Sequence, residues 1–137
     1  MQTITTGYKA LLEAAEREIE TLSVEDAAKL HGNDDVVFVD IRDPREQQRE
    51  GKMPGAFSCT RGMLEFWIDP ESPYYKEKFG EDKKFVFFCA GGLRSALAAK
   101  TAQEMGLKPV AHILGGFKAW KDAGGPTEPG ETKPPKK

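Results

Sequence analysis

Three short apolar runs interrupt an otherwise polar chain: VVFVD at residues 36–40, KFVFF at 84–88 and VAHIL at 110–114. Each is rich in β-branched or aromatic residues and apolar at consecutive positions, as strands buried on both faces of a parallel sheet should be. A fourth, shorter strand is expected around Ala56 to Cys59, after a turn at Met53-Pro54-Gly55, and Thr21-Leu22 suits a fifth.

Helical spacing fills the intervals. Tyr8, Leu11, Leu12, Ala15 and Ile19 mark one face of a helix over residues 8–20. Ser23 is placed to cap a helix that ends near His31-Gly32. Asp43-Pro44 reads as a cap followed by the first helical residue. Residues 61–79 hold aromatics and two prolines, Pro70 and Pro73, and predict short helices. A longer helix is expected from Ser95 to Met105, stopped by Gly106, and a short one within GGFKAWKDAGG. From Pro126 the sequence PTEPGETKPPKK is Pro-rich and charged and predicts a disordered tail over 126–137. Strands alternating with helices argue an α/β fold with a parallel sheet flanked by helices. Ligands of such sheets bind beyond the carboxyl ends of the strands. Asp40, Arg42, Arg61 and Cys89 all fall there, so they should share one edge.

Composition narrows the class. At 137 residues the chain suits one domain, and 39% apolar with 31% charged residues reads as a soluble globular protein. A net charge of −2 points to neither a nucleic-acid nor a membrane partner. Two cysteines are too few for a disulfide scaffold, and with two scattered histidines they fit no zinc spacing, so no metal or cofactor is expected. No run approaches the ~20 apolar residues of a membrane span, and the polar N-terminus lacks a secretory core. A reducing cytoplasm is the expected setting, where a thiol stays free.

The chemistry concentrates at CAGGLRS. Cys89 leaves a strand and enters a loop of Ala90, Gly91, Gly92, Leu93 and Arg94, after which Ser95 opens a helix. Glycines allow a tight turn with N–H groups facing inward, an anion-binding nest. The helix adds its positive end and Arg94 a permanent cation. All three favour thiolate over thiol, the state in which cysteine is a nucleophile. A buried cysteine closing a strand is the more ordinary role for this residue type; the glycines and the arginine tip the reading to a reactive thiol.

These features together resemble the rhodanese (sulfurtransferase) family. The motifs that carry the resemblance run in order through residues 20–125: FVDIRDPREQQREGKMPGA, RGMLEFW, CAGGLRS and LGGFKAWKDAGGP. The resemblance implies a three-layer, five-stranded rhodanese-like domain over 21–125, with residues 1–20 as an extra N-terminal helix. It implies that Cys89 takes the outer sulfur of a small anionic donor such as thiosulfate as a persulfide. The sulfur then passes to a thiol, to a redox protein, or to cyanide in vitro. Ala90, Gly91, Gly92, Leu93 and Ser95 would supply the N–H cradle and Arg94 the donor anchor, with Arg61 as a second anchor. Asp40 and Arg42 match the family's Asp-x-Arg and read as a structural pair near the site. Two positions depart from the family pattern. Gly51-Lys52-Met53-Pro54-Gly55-Ala56 stands where Gly-His-Ile-Pro-Gly-Ala is common, and Ala90 where thiosulfate enzymes often carry a base.

Other residues suit quieter roles. Cys59 could resolve the persulfide but better fits core packing. His112 fits a structural histidine within its strand. Phe66 and Trp67 could wall a donor pocket, though aromatics at that spacing usually fill cores, and Phe117 and Trp120 should pack on the sheet. Rival functions are a persulfide relay for a partner protein and a cysteine-dependent phosphatase or arsenate reductase. The phosphatase loops typically place five residues between Cys and Arg, against four here.

Overall fold

The apolar runs become the centre of a five-stranded sheet in the computed structural model, which describes residues 1–130. The strands are β1 (Glu20–Leu22), β2 (Val36–Asp40), β3 (Phe57–Ser58), β4 (Lys84–Phe88) and β5 (Val110–Ile113). They lie in the order β1-β5-β4-β2-β3, and every pairing is parallel. The three longest strands sit in the middle. Because side chains alternate, Val37, Val39, Phe85, Phe87 and Val110 enter one core layer, while Phe38, Val86, Phe88, Ala111 and Ile113 enter the other.

Among the described residues six α-helices flank the sheet: α1 (Tyr8–Glu18), α2 (Val24–Leu30), α3 (Pro44–Glu50), α4 (Leu64–Ile68), α5 (Leu93–Glu104) and α6 (Gly116–Asp122). The first core layer closes under α1, α4 and α5, the second under α2 and α6. The N-terminal helix is thus part of the packing. Its Ala15 is fully buried, Ile19 follows at its end, and Gln103 of α5 donates to the Glu18 carbonyl at 2.8 Å. The stripe of small residues on α5 (Ala96, Ala98, Ala99 and Ala102, all buried) lets neighbouring elements approach closely.

Local signals explain the boundaries. The Ser23 hydroxyl accepts from the Asp26 amide at 3.1 Å, satisfying one orphan donor of α2. Asp43 caps α3 in a capping box, its carboxylate taking the Arg45 amide at 2.8 Å while Glu46 reaches back to the Asp43 amide at 2.9 Å. Residues 61–80 form a 3-10 turn at Arg61–Met63, then α4, then a second turn at Glu77–Gly80, the short helices the prolines predict.

Several boundaries differ from expectation, with α1 ending at Glu18, ahead of residue 20, and β5 at Ile113, ahead of Leu114. Helix α5 begins at Leu93, ahead of Ser95, because Gly92 adopts φ +97 and turns the chain directly into the helix. Strand β3 shortens to two residues. Residues 126–130, expected to belong to a disordered tail, are instead tied to the domain. Lys52 and Glu128 exchange backbone hydrogen bonds of 2.8 and 2.9 Å in an antiparallel bridge, and the Pro126 carbonyl accepts from the Trp120 indole at 2.8 Å. The rest of that tail, 131–137, lies outside the described residues.

Candidate active site

Asp40 stands opposite both Ser58 and Phe88 in the sheet register, so the next residues (Cys59, Ile41 and Cys89) leave their strands side by side. The expected shared edge therefore exists. Cys89, only 1% exposed, directly follows β4, and all four residues before it are fully buried. A nucleophile at this place is held by the sheet on one side and by its loop on the other.

The loop is shaped around the sulfur. The Gly92 amide donates to Cys89 Sγ at 3.2 Å, and α5 starts at the next residue with its positive end toward the thiol. Behind the loop, α6 supplies two amides: Phe117 donates to the Cys89 carbonyl at 2.7 Å and Lys118 to the Ala90 carbonyl at 3.0 Å. With both carbonyls tied down behind, the loop backbone is fixed in orientation. Such close approach requires glycine. A Cβ at Gly116 would lie 2.5 Å from the Cys89 oxygen.

Arg94 lies one residue into α5 and is clamped from α3. Its two terminal nitrogens donate to the two carboxylate oxygens of Glu46 at 2.9 and 2.8 Å, a bidentate pair. The Glu46 carboxyl is held down to about 2, chiefly by its hydrogen bond to Arg94 and against the cost of burial. Arg94 is correspondingly raised, first by Glu46, with smaller contributions from the charge and hydrogen bonding of Cys89. The guanidinium thus interacts with both the Glu46 carboxylate and the Cys89 sulfur.

Ser95 is fully buried, and its hydroxyl lies 3.1 Å from His112 Nδ1. Burial pushes the His112 ring below its ordinary value, with a smaller opposing effect from Glu16, so the neutral ring is the favoured form. Its Nε2 has no partner among the described residues.

The remaining expected residues divide. Asp40 and Arg42 form a buried pair, with Arg42 donating to both carboxylate oxygens and, through Nη2 at 3.0 Å, to the Gly51 carbonyl. The guanidinium also lies 4.2 Å above the Phe117 ring. This pair ties the end of β2 to the end of α3 and to α6. Arg61 is engaged elsewhere, paired with Glu65 at 2.9 Å one helical turn along. Cys59 is fully buried, and burial pushes its thiol up to about 12. Two strand spacings of about 4.8 Å separate it from Cys89, with Ile41 packed in the same layer between them. Trp67 is half-buried and packs on Phe57, whereas Phe66 is 52% exposed.

A cleft of about 530 Å³ opens beside Ala90 and Gly91, bounded by Arg49, Phe117, Lys118 and Lys121. No group of acidic, histidine or cysteine side chains among the described residues could hold a metal ion. No helix among them is long and apolar enough to cross a membrane. Sequence reading missed Glu46 and the two α6 amides. The capping signal at Asp43 places Glu46 in the first turn of α3, but its partner is 48 residues away.

This geometry has relatives. A Rhodanese-like domain model matches residues 23–123. A solved structure from Rhodopseudomonas palustris, described as a protein of unknown function and possible tyrosine phosphatase, is 73% identical, covers 93% of this chain and 98% of its own, and superimposes with a TM-score of 0.92. The protein named "Putative sulfurtransferase YtwF" of Bacillus subtilis is 30% identical over 118 residues, 86% of this chain and 95% of that one. The polysulfide-sulfur transferase homodimer of Wolinella succinogenes is 34% identical, with a TM-score of 0.66 over 88% of this chain and 85% of its own. By its matched span and by its thiol loop at the carboxyl edge of a parallel sheet, this chain belongs to the rhodanese-like domain family.

Proposed function

We propose that this protein is a sulfurtransferase that carries sulfane sulfur as a persulfide on Cys89. The observation that carries the reading is the Gly92 amide aimed at Sγ from the start of α5. An N–H donor and a helix end fixed before the reaction stabilise an anionic sulfur without reorganising. The thiolate attacks the outer sulfur of a donor such as thiosulfate, the S–S bond of the donor breaks, and sulfite leaves with the electron pair. The terminal sulfur of the new persulfide extends into the loop. A thiol, a redox protein or, in vitro, cyanide then removes that sulfur and restores the thiolate. Two half-reactions sharing one covalent intermediate give ping-pong kinetics. The loop residues Ala90 to Ser95 cradle the sulfur and Arg94 faces the donor. Asp40 and Arg42 hold the frame. Arg61, committed to Glu65, is a lesser anchor. The setting is the cytoplasm.

A phosphatase is the second reading, prompted by the description of the 73% identical structure. Four loop residues separate Cys89 from Arg94, a cradle short for a tetrahedral phosphate, so sulfur transfer is favoured. The deciding experiment is intact-mass analysis after incubation with thiosulfate, run beside an aryl phosphate assay. The expected result is a gain of one sulfur that cyanide removes and Cys89→Ser abolishes, with no phosphate release. Phosphate release with no sulfur adduct from any donor would overturn it.

A further inference from the structure

The two hydrogen bonds between Arg94 and Glu46 have a consequence for which donor the site accepts. Resting on the sulfurtransferase reading, we infer that Glu46 is a specificity-determining residue: by occupying Arg94 it sets the site against doubly anionic donors and in favour of donors of lower charge.

Counting the charged groups at the loop leads to this. Arg42 is answered by Asp40 at 2.8 Å and Lys118 by Asp122 at 2.9 Å. What remains around the loop and the adjoining cleft is Arg94, Arg49 and Lys121 against Glu46 and Glu50. One positive charge is left over, and a Cys89 thiolate cancels it. A dianion therefore enters a site with no excess cation to receive it. Ala90 adds none. The cleft is also far larger than an inorganic sulfur anion needs, and at about 530 Å³ it is of the size that holds a small organic molecule. Phe117 gives it an apolar wall. The donor class that fits is an organic sulfane-sulfur compound of charge −1 or less, its body in the cleft and its outer sulfur at Cys89. Glu46 stays ionised through the neutral range, because Arg94 holds its carboxyl down to about 2.

The test compares two donors that present the same outer sulfur and differ by one charge. Thiosulfate is a dianion. Methanethiosulfonate replaces one charged oxygen with a methyl group and is a monoanion. In both reactions the Cys89 thiolate forms the new S–S bond and the donor's S–S bond breaks. The leaving group takes the electron pair as sulfite in one case and methanesulfinate in the other, and no redox partner is needed. Wild-type protein is expected to load more rapidly, per unit donor concentration, from methanethiosulfonate. Glu46→Gln keeps an acceptor for both the Asp43 amide and Arg94 while removing the charge. It should speed loading from thiosulfate about tenfold and from methanethiosulfonate about threefold, since the effect scales with donor charge, and both gains should shrink at high salt. Glu46→Ala, checked for folding by its thermal midpoint, should narrow the donor ratio in the same direction. A donor ratio unchanged in both variants, or both donors falling by one factor, assigns Glu46 a purely structural role and overturns the inference while leaving the persulfide intact. Failure of both donors to load wild-type Cys89 overturns the sulfurtransferase reading itself.

Discussion

The amide of Phe117 donates to the carbonyl of Cys89 at 2.7 Å, which joins the start of α6 to the thiol loop. This contact depends on Gly116, whose φ of +63 brings the backbones together. In Gly116→Ala the new Cβ would meet the carbonyl oxygens of Cys89 and Ala90 at 2.5 and 2.7 Å. The backbone strain alone costs about 1–3 kcal/mol. We expect that loss or more in denaturant titrations, together with slower sulfur loading. Gly62→Ala has no neighbour within 4 Å to meet and should stay within about 0.5 kcal/mol of wild type. Equal stability of the two variants would contradict the proposed contact.

Cys59 should not resolve a persulfide on Cys89. Its Cα is two strand spacings away, roughly 10 Å, where a disulfide tolerates about 7 Å. Its thiol, pushed up to about 12 by burial, stays protonated at neutral pH. Sulfur loading should be the same in Cys59→Ala as in wild type. Oxidised wild-type protein should show no intramolecular disulfide by peptide mapping. In the folded protein, alkylation at pH 8 should spare Cys59.

The Asp40–Arg42 pair should behave as one unit. Both side chains are about 1% exposed, so removing either partner strands a charge in the core. Asp40→Asn or Arg42→Met should each cost about 3–5 kcal/mol. The double variant should cost less than the sum of the two, because no lone charge remains. Denaturation midpoints of the four proteins give the coupling directly.

Acid should weaken the fold in two windows. Burial lowers the His112 pKa below its ordinary 6.5, so the unfolded chain binds a proton that the native state resists. The stability His112 confers is complete above pH 6.5 and is lost as pH falls below it. Arg94 holds Glu46 at about 2 against an ordinary 4.5, so its contribution is present above pH 4.5 and is lost on the way down to pH 2. Thermal midpoints of His112→Gln should drop less than those of wild type between pH 7 and pH 5. Glu46→Gln should keep the upper window and flatten the lower one.

The fold was readable because its signals are local. Consecutive β-branched and aromatic residues at 36–40 and 84–88 have no stable place except a buried parallel strand, and both emerge with their expected ends. Asp43-Pro44 marks the start of α3 by the same local logic. The thiol loop was readable too, since cysteine, glycines, arginine and helix are contiguous. What escaped depends on residues brought together from afar. Arg94 looked like a free anchor, and only the folded chain shows it committed to Glu46. Glycine at 115 and 116 signals a turn, but not that the turn would back the carbonyls of Cys89 and Ala90. Residues 126–130 read as tail on composition, yet a backbone bridge to Lys52 needs only N–H and C=O groups, which composition does not register.

The strand order carries a consequence for how the protein comes into being. Among the described residues β1 has β5, made about 90 residues later, as its one neighbour in the sheet, and the carbonyls of Cys89 and Ala90 wait for amides at Phe117 and Lys118. A nascent chain leaving the ribosome therefore exposes its thiol well before the backbone that orients it has emerged. Until α6 docks, the loop after Cys89 lacks the two amides that hold its carbonyls in place.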